Sequence, residues 1–168
     1  MNQSASSVFI TFEDDGIFPN NKGVPLIVYP GVFGEHPDPD RIETLLNTNG
    51  WPPAWRYTVY PYHHYHSRAH EFLGCFRGSA RILFGGDRGR EVEIRPGDGV
   101  MIPAGVAHNC LEDKGLTVVG AYPEGQSPDM RYGRPGERPE VDRNILALGR
   151  PPSDPVTGQA FTAGKSSG

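Results

Sequence analysis

Apolar residues in the first part of the chain predict two β-strands followed by one helix. The β-prone runs cover residues 8–12 and 25–29, and turn-forming residues separate them. The helix is predicted over residues 39–49, because Asp38 can cap its N-terminus and apolar residues follow at helical spacing. It is expected to end at Asn49-Gly50, since the two prolines that follow Trp51 cannot continue a helix.

Residues 56–122 change to a strand pattern. The predicted strands cover residues 57–62, 64–66, 71–76, 80–84, 91–94, 99–102, 108–111 and 116–122. Along the third of these, alternation turns Glu71, Leu73 and Cys75 to one face and Phe72 and Phe76 to the other. Short antiparallel strands with a polar cluster on their inner face predict an all-β fold, a closed or double-sheet barrel around a ligand-sized cavity.

The chain of 168 residues is most simply a single domain. We predict a flexible N-terminus over residues 1–7 and the folded domain over residues 8–148. Beyond residue 123 the apolar pattern loses its period, so no further helix or strand is predicted there. Residues 149–168 are rich in Pro, Gly and Ser, which predicts a tail that wraps the surface or is disordered.

Composition and charge exclude several classes of partner. A formal net charge of -4 without a basic stripe argues against nucleic acid, and no apolar run is long enough for a membrane span. The first seven residues lack the basic and apolar segments of a secretion signal, which favours a cytoplasmic protein. Cys75 and Cys110 fall within predicted strands and are expected to be buried, reduced thiols.

Five of the six histidines lie in two short segments, residues 63–70 and 105–108. His64 and His66 are two positions apart, so both imidazoles point to one face of an extended strand. Glu71 and His108 can complete a ring of nitrogen and oxygen ligands suited to a divalent first-row metal ion. The alternative is a metal-free cavity in which these histidines only form hydrogen bonds.

Two gapped motifs resemble those of the cupin superfamily. They read His64-x-His66-x4-Glu71-x6-Gly78 and Gly97-x5-Pro103-x-Gly105-x2-His108. The chain departs from the cupin pattern at Thr58, where a glycine is expected, and at Glu112, where an asparagine is common. The resemblance implies a double-stranded β-helix with His64, His66, Glu71 and His108 as metal ligands. Three imidazoles and a carboxylate suit iron best as the metal, with zinc, manganese or nickel as alternatives.

Further stretches between about residues 12 and 158 resemble the YjlB-type cupins, which are small and single-domain. These stretches are Phe18-Pro19-Asn20-Asn21, Asn49-Gly50-Trp51-Pro52-Pro53, His63-His64-Tyr65-His66-Ser67, His70-Glu71 and Gly120-Ala121-Tyr122-Pro123. This narrower resemblance implies an RmlC-like jelly roll and no particular reaction.

Two further residues are candidates for catalysis. His70 faces away from Glu71 on a regular strand, as a surface or interface residue would, whereas a bulge would make it an extra ligand or proton shuttle. Tyr122 is expected to pack, although a hydroxyl near the barrel mouth could act as an acid or base. Arg68 and Arg77 are expected to be solvated. The side chains expected to line the cavity are Trp55, Leu73, Ile82, Phe84 and Met101.

Three classes of function share such a site. We favour a metal-dependent oxygenase acting on a small, partly apolar organic molecule. The alternatives are an isomerase, lyase or hydrolase in which the ion is a Lewis acid, and a non-catalytic small-molecule-binding protein. Cupins commonly dimerise through edge strands, and residues 8–12 form a predicted edge, so the resemblance also implies a homodimer.

Overall fold

The computed structural model describes residues 6–162, so residues 1–5 of the predicted flexible N-terminus and 163–168 of the predicted tail lie outside it. Seven strands and two helices form in these residues. They are β1 (Val8–Phe12), β2 (Asn21–Tyr29), α1 (Pro39–Thr48), β3 (Pro53–Tyr57), β4 (Glu71–Phe84), β5 (Arg90–Ile94), β6 (Gly99–Ile102), β7 (His108–Ala121) and α2 (Glu140–Leu148). Neither helix has the length and apolar character needed to cross a bilayer.

All strand pairs are antiparallel, in the order β1-β2-β6-β4-β7-β3, with β5 on the far half of β4. The long strands β4 and β7 pair along most of their length, from Phe72–Ala121 at one end to Phe84–His108 at the other. The opposite edge of β4 pairs with β6 over its first residues and with β5 over its last. This arrangement confirms the prediction of an all-β jelly roll, a double-stranded β-helix.

Alternation along β4 divides the core into two layers, as predicted. Leu73 and Cys75 face the barrel interior, where they pack with buried side chains of the other strands. Phe72 and Phe76 face outward and pack beneath α1 with Ile42. The first residues of β4 are buried on both faces of the strand, and among them Glu71 is the one charged side chain.

The helix α1 follows the predicted boundaries closely. Asp38 caps it by accepting a hydrogen bond from the backbone N–H of Asp40, and Pro39 occupies the first turn. Its buried residues are Ile42 and Leu46. Asn49 ends the helix, where the chain turns to bury Trp51.

Several predicted elements differ from the structure. Residues 58–62 are not a strand, because apart from the hydrogen bond from the N–H of Cys110 to the carbonyl of Tyr60 no backbone ladder holds them to β7. Residues 71–76 and 80–84, predicted as two strands, form the single strand β4. Residues 108–111 and 116–122 likewise form the single strand β7. The pairing register of β4 with β7 is irregular near Ser79, where both strands bend. The helix α2 was not predicted, although Val141, Ile145 and Leu148 stand at helical spacing, and Val141 is its only buried residue.

Residues 149–162 cross the outer layer of the core. The indole N–H of Trp51 donates to the carbonyl of Ser153, and the hydroxyl of Tyr29 donates to Asp154. Phe161 is buried in the same layer as Trp51. This segment therefore covers the face of the sheet that α1 leaves open.

Candidate metal centre

A cavity of about 410 Å³ opens at one end of the barrel. Its inner end is formed by His64, His66, Glu71 and His108, and all four side chains are buried. The other lining residues are Trp55, Arg56, Tyr57, Thr58, Val59, Tyr60, Leu73, Tyr122, Pro128 and Met130. The four residues singled out by the two sequence motifs thus meet in one place, at the bottom of an accessible cavity.

Backbone pairing brings the two motifs together. His64 and His108 exchange both backbone hydrogen bonds, at 3.1 and 2.9 Å, although His64 lies outside any regular strand. The carbonyl of His66 accepts from the N–H of Gly105 at 2.7 Å. Gly105 has φ +93°, and a Cβ there would lie 2.3 Å from the carbonyl oxygen of Asn20. The motif glycine is therefore required by its backbone conformation and by a close neighbouring chain.

The three imidazoles and the carboxylate converge. One nitrogen from each of His64, His66 and His108 lies within 4.8 Å of the others. The Nε2 atoms of His66 and His108 lie 3.3 Å from the two oxygens of Glu71, one on each oxygen. The rings of His64 and His108 are 4.0 Å apart between centroids. This spacing is compact enough for one small cation to reach all four groups.

Each ring is oriented by a backbone carbonyl behind it. The Nδ1 atoms lie 3.0 Å from the Tyr62 carbonyl for His64, 2.6 Å from the Asp129 carbonyl for His66, and 3.0 Å from the Val106 carbonyl for His108. Because a carbonyl only accepts hydrogen bonds, each Nδ1 carries the proton and donates it. In the neutral imidazole each Nε2 is then left with a lone pair directed at the cavity, as in histidines that bind metals.

Asp129 fixes the loop that orients His66. Its carboxylate accepts hydrogen bonds from the backbone N–H groups of Ser67 and Arg68, from the Ser67 hydroxyl and from the Arg131 guanidinium. Its carbonyl is the acceptor for His66. One residue thus ties the turn after His66 and the His66 ring to the same loop. Sequence reasoning missed it, because it lies 63 positions from His66 in an irregular segment.

The four potential ligand groups fit a divalent metal ion. Three imidazole lone pairs and a carboxylate are all acceptors, and they face one another in a buried space. The Nε2 of His108 is buried without a hydrogen-bond partner in the described residues. Burying a polar atom without a partner costs free energy, and a bound cation would remove that cost. Imidazole and carboxylate groups together bind Fe, Zn, Mn and Ni.

The charges within the cluster shift the pKa values of its groups in different directions. Burial and the neighbouring His108 lower the pKa of His64 to about 3, so this ring stays neutral. Burial opposes ionisation of Glu71, but the adjacent imidazoles outweigh it and hold the pKa of its carboxyl well below the usual range. Burial also opposes a charged His66, yet the Glu71 carboxylate prevails and raises the pKa of that ring. The carboxylate is therefore ionised near neutral pH, as a ligand must be.

Tyr122, one of the two catalytic candidates, lies beside the cluster. Its hydroxyl donates to Glu71 Oε2 at 2.9 Å and accepts from the indole N–H of Trp55 at 2.9 Å. Burial and the Glu71 charge raise the pKa of Tyr122, so the hydroxyl keeps its proton. A Cβ at Gly120 would lie 2.3 Å from the ring of Trp55, which shows how closely the indole lies on β7. Tyr122 and Trp55 form a fixed wall next to the carboxylate.

His70, the other candidate, is not in the cavity. It faces away from Glu71, as strand alternation predicted, but it is fully buried, so the expected surface position is wrong. Its Nδ1 accepts from the N–H of Ala104 at 2.9 Å, and its Nε2 donates to the carbonyl of Gly149 at 3.0 Å. Both ring nitrogens are occupied by backbone groups, which makes His70 a structural residue and neither a ligand nor a proton shuttle.

The predicted lining of the cavity needs correction. Trp55 and Leu73 line it, whereas Ile82 and Phe84 lie deeper in the inner core and Met101 lies in the outer layer beneath α1. The aromatic residues at the mouth were missed as lining residues, because they lie in the segment that was predicted to be a strand. Arg68 and Arg77 do not line the cavity.

The chain shares most of its length with a known protein. No model of a known protein family matches the chain. The crystal structure of the coconut allergen cocosin matches 72% of the chain at 17% identity with a TM-score of 0.39, and the chain spans about a third (32%) of that protein. The uncharacterized protein YjlB of Bacillus subtilis is 42% identical over 149 residues, which cover 88% of each chain. The chain therefore belongs to the same protein family as YjlB.

Proposed function

We propose that the cluster of His64, His66, Glu71 and His108 binds one divalent first-row metal ion, and that the protein is an oxygenase acting on a small organic molecule. One observation carries the metal site: within the described chain, three imidazole nitrogens and the carboxylate of Glu71 converge in a buried space. Iron held by imidazoles and a carboxylate supplies the redox chemistry with which non-haem iron proteins use molecular oxygen.

The residues of the chain have separate tasks in this proposal. Glu71 offsets part of the charge of the cation, and Tyr122 holds that carboxylate in one orientation through its hydrogen bond. Leu73 and Trp55 place apolar surface against the inner end of the cavity and limit the water that reaches it. The substrate enters where the lining residues are exposed, at Tyr57, Tyr60 and Met130.

A second reaction class is favoured by the position of Tyr122. Its hydroxyl lies in the cavity and keeps its proton, so on turning away from Glu71 it can donate a hydrogen bond to a bound molecule instead. That arrangement suits an isomerase or lyase in which the metal ion acts as a Lewis acid without redox change. We also propose a cytoplasmic location, which is supported by the two free, buried thiols of Cys75 and Cys110.

Elemental analysis of the purified protein, before and after anaerobic loading with iron, tests the proposal. About one iron per chain, with oxygen uptake that rises in proportion to iron content, is the result expected of the oxygenase. Stoichiometric zinc, nickel or manganese that iron cannot replace would move the function to the Lewis-acid class. Absence of any metal after every loading would overturn the metal site itself.

A further inference from the structure

The open end of the cavity is built from aromatic side chains. Tyr57, Tyr60 and Trp55 line it, and Tyr57 and Tyr60 are 58% and 41% exposed. Tyr62 stacks against Tyr60 with centroids 5.3 Å apart and ring planes 7° from parallel. Clusters of exposed aromatic groups are uncommon unless they serve recognition, so this cluster of four rings requires an explanation.

The rings form a continuous path to the inner cluster. Tyr57 meets Tyr60 edge to face at 6.3 Å, and Tyr60 meets the ring of His64 edge to face at 5.5 Å. Tyr62 covers one face of Tyr60 and does not itself line the cavity. The remaining face and the edge of Tyr60 are thus left for a bound molecule, in direct line with one of the proposed ligands.

The hydroxyl groups at the mouth are also free. No hydrogen bond within residues 6–162 uses the hydroxyl of Tyr57 or Tyr60. Trp55, in contrast, is immobilised by its hydrogen bond to Tyr122 and by its contact with Gly120. One side of the cavity is therefore rigid, and the other carries aromatic faces with unused polar ends.

The charged side chains at the mouth offer no free cation to an anionic ligand. Arg56 is the only lysine or arginine that lines the cavity in the described part of the chain. Its guanidinium is held by Glu43 at 2.6 and 3.0 Å and by Asp40 at 2.7 Å, all from α1. Two carboxylates against one guanidinium leave the surroundings of the mouth negative, so a carboxylate or phosphate on the ligand would meet no free cation there.

From these contacts we infer that the substrate is an uncharged aromatic molecule of one or two fused rings, stacked on the wall formed by Tyr57, Tyr60 and Trp55. The cavity of about 410 Å³ lies within the roughly 300–1,000 Å³ of small-molecule sites. The inference rests on the function proposed above, because it places the reacting end of the ring system at the four-residue cluster.

Calorimetric titration with three probes that share one skeleton tests the inference. The probes are 2-naphthol, its saturated analogue 2-decalol and the anion 2-naphthoate, each added to the full-length protein as purified and after treatment with a chelator. Ring stacking favours 2-naphthol over 2-decalol by about tenfold in Kd, and 2-naphthoate should bind more weakly than 2-naphthol. Equal binding of 2-naphthol and 2-decalol, or tighter binding of the anion, would overturn it.

Substitutions at the mouth test which residues cause the preference for the aromatic probe. The double change Tyr57→Leu with Tyr60→Leu should abolish the difference between 2-naphthol and 2-decalol, whereas Tyr57→Phe with Tyr60→Phe should keep it. Phe9→Leu, at an exposed aromatic residue of β1, is the matched control and should bind as the wild type does. Retention of the preference in the leucine double variant would overturn the proposed wall.

Metal content, measured on the same samples, separates this inference from the proposed function. Protein that holds about one metal ion per chain but does not prefer the aromatic probe would contradict the substrate class alone. Protein that prefers 2-naphthol after chelation, yet takes up no metal under any loading, would contradict the metal site and leave the aromatic wall standing.

Discussion

At the scale of single residues, spacing along the sequence identifies the proposed metal ligands but not the groups that orient them. His64, His66, Glu71 and His108 could be predicted because their identities and intervals lie in two short stretches of sequence. The groups that orient the three rings are carbonyls, which every residue has, so sequence carries no sign of them. Asp129 could not be predicted for the same reason: it acts on His66 through its backbone.

Loss of one ring from the centre should release the metal. We expect His108→Ala to lower metal affinity by more than the roughly 10–100-fold typical of changes to groups behind the ligands, because it removes a ligand itself. Elemental analysis after dialysis measures this. His63→Ala is the matched control, since His63 neighbours the cluster but contacts Asp87 and does not line the cavity. Full metal content in His108→Ala would show that the ligand set is wrong.

His70 should make stability depend on pH. Burial lowers the pKa of His70 to about 4 from its ordinary 6.5, so below pH 6.5 the unfolded chain binds a proton that the folded chain refuses. Stability from this residue is complete above pH 6.5 and is lost as the pH falls towards 4, by roughly 3 kcal/mol in all.

Urea unfolding of metal-free protein across this pH range measures the effect. His70→Gln keeps an acceptor for Ala104 and a donor for Gly149 but does not titrate, so its stability should depend less steeply on pH. Parallel pH curves for the wild type and His70→Gln would contradict the assignment.

At the scale of elements, local patterns located most strands but not their continuity. The bounds of β1 and β6 match the predicted ones, because each is a short apolar run between turn residues. The strands β4 and β7 were divided in the prediction, since glycines at 78 and 115 read locally as turns. In the structure these glycines lie beside each other across the β4–β7 pair, where they bend both strands without ending them.

The two glycines differ in the space around them, which gives a matched pair of variants. Both have positive φ, +64° at Gly78 and +76° at Gly115, so alanine is strained at either position. A Cβ at Gly78 would lie 2.1 Å from the carbonyl oxygen of Gly115, whereas a Cβ at Gly115 meets nothing within 4 Å.

We expect Gly115→Ala to lower the free energy of unfolding by about 1 kcal/mol and Gly78→Ala by about 3 kcal/mol or more. Chemical denaturation measures both. Equal losses in the two variants would show that backbone strain alone accounts for the motif glycine, and that the close approach of the strands costs nothing.

At the scale of the whole molecule, the edge of the sheet bears on assembly. The strand β1 is at one end of the strand order, and its Phe9 and Val8 are 60% and 39% exposed. An apolar strand with an unpaired edge invites pairing with another chain. The homodimer therefore stays a prediction that the exposed residues of β1 support.

Light scattering at high micromolar concentration tests the dimer. We expect twice the mass of the chain for the wild type and a shift towards the monomer for Phe9→Lys, because a charge at the interface must be desolvated. Leu146→Lys, at an 83% exposed residue of α2, is the control and should not change the mass. A monomer mass for the wild type would exclude assembly through β1 at that concentration.

The segment of residues 149–162 has a consequence for biosynthesis. Trp51 and His70 obtain backbone partners from Ser153 and Gly149, and Phe161 completes the layer beneath α1. The ribosome adds these residues after every strand of the barrel, at about 5–20 residues per second. Until they emerge, the Trp51 indole and the outer face of the sheet stay uncovered in the nascent chain, so folding is completed only after residues 149–162 have left the exit tunnel. In that interval its outer apolar layer is a surface for chaperones to hold.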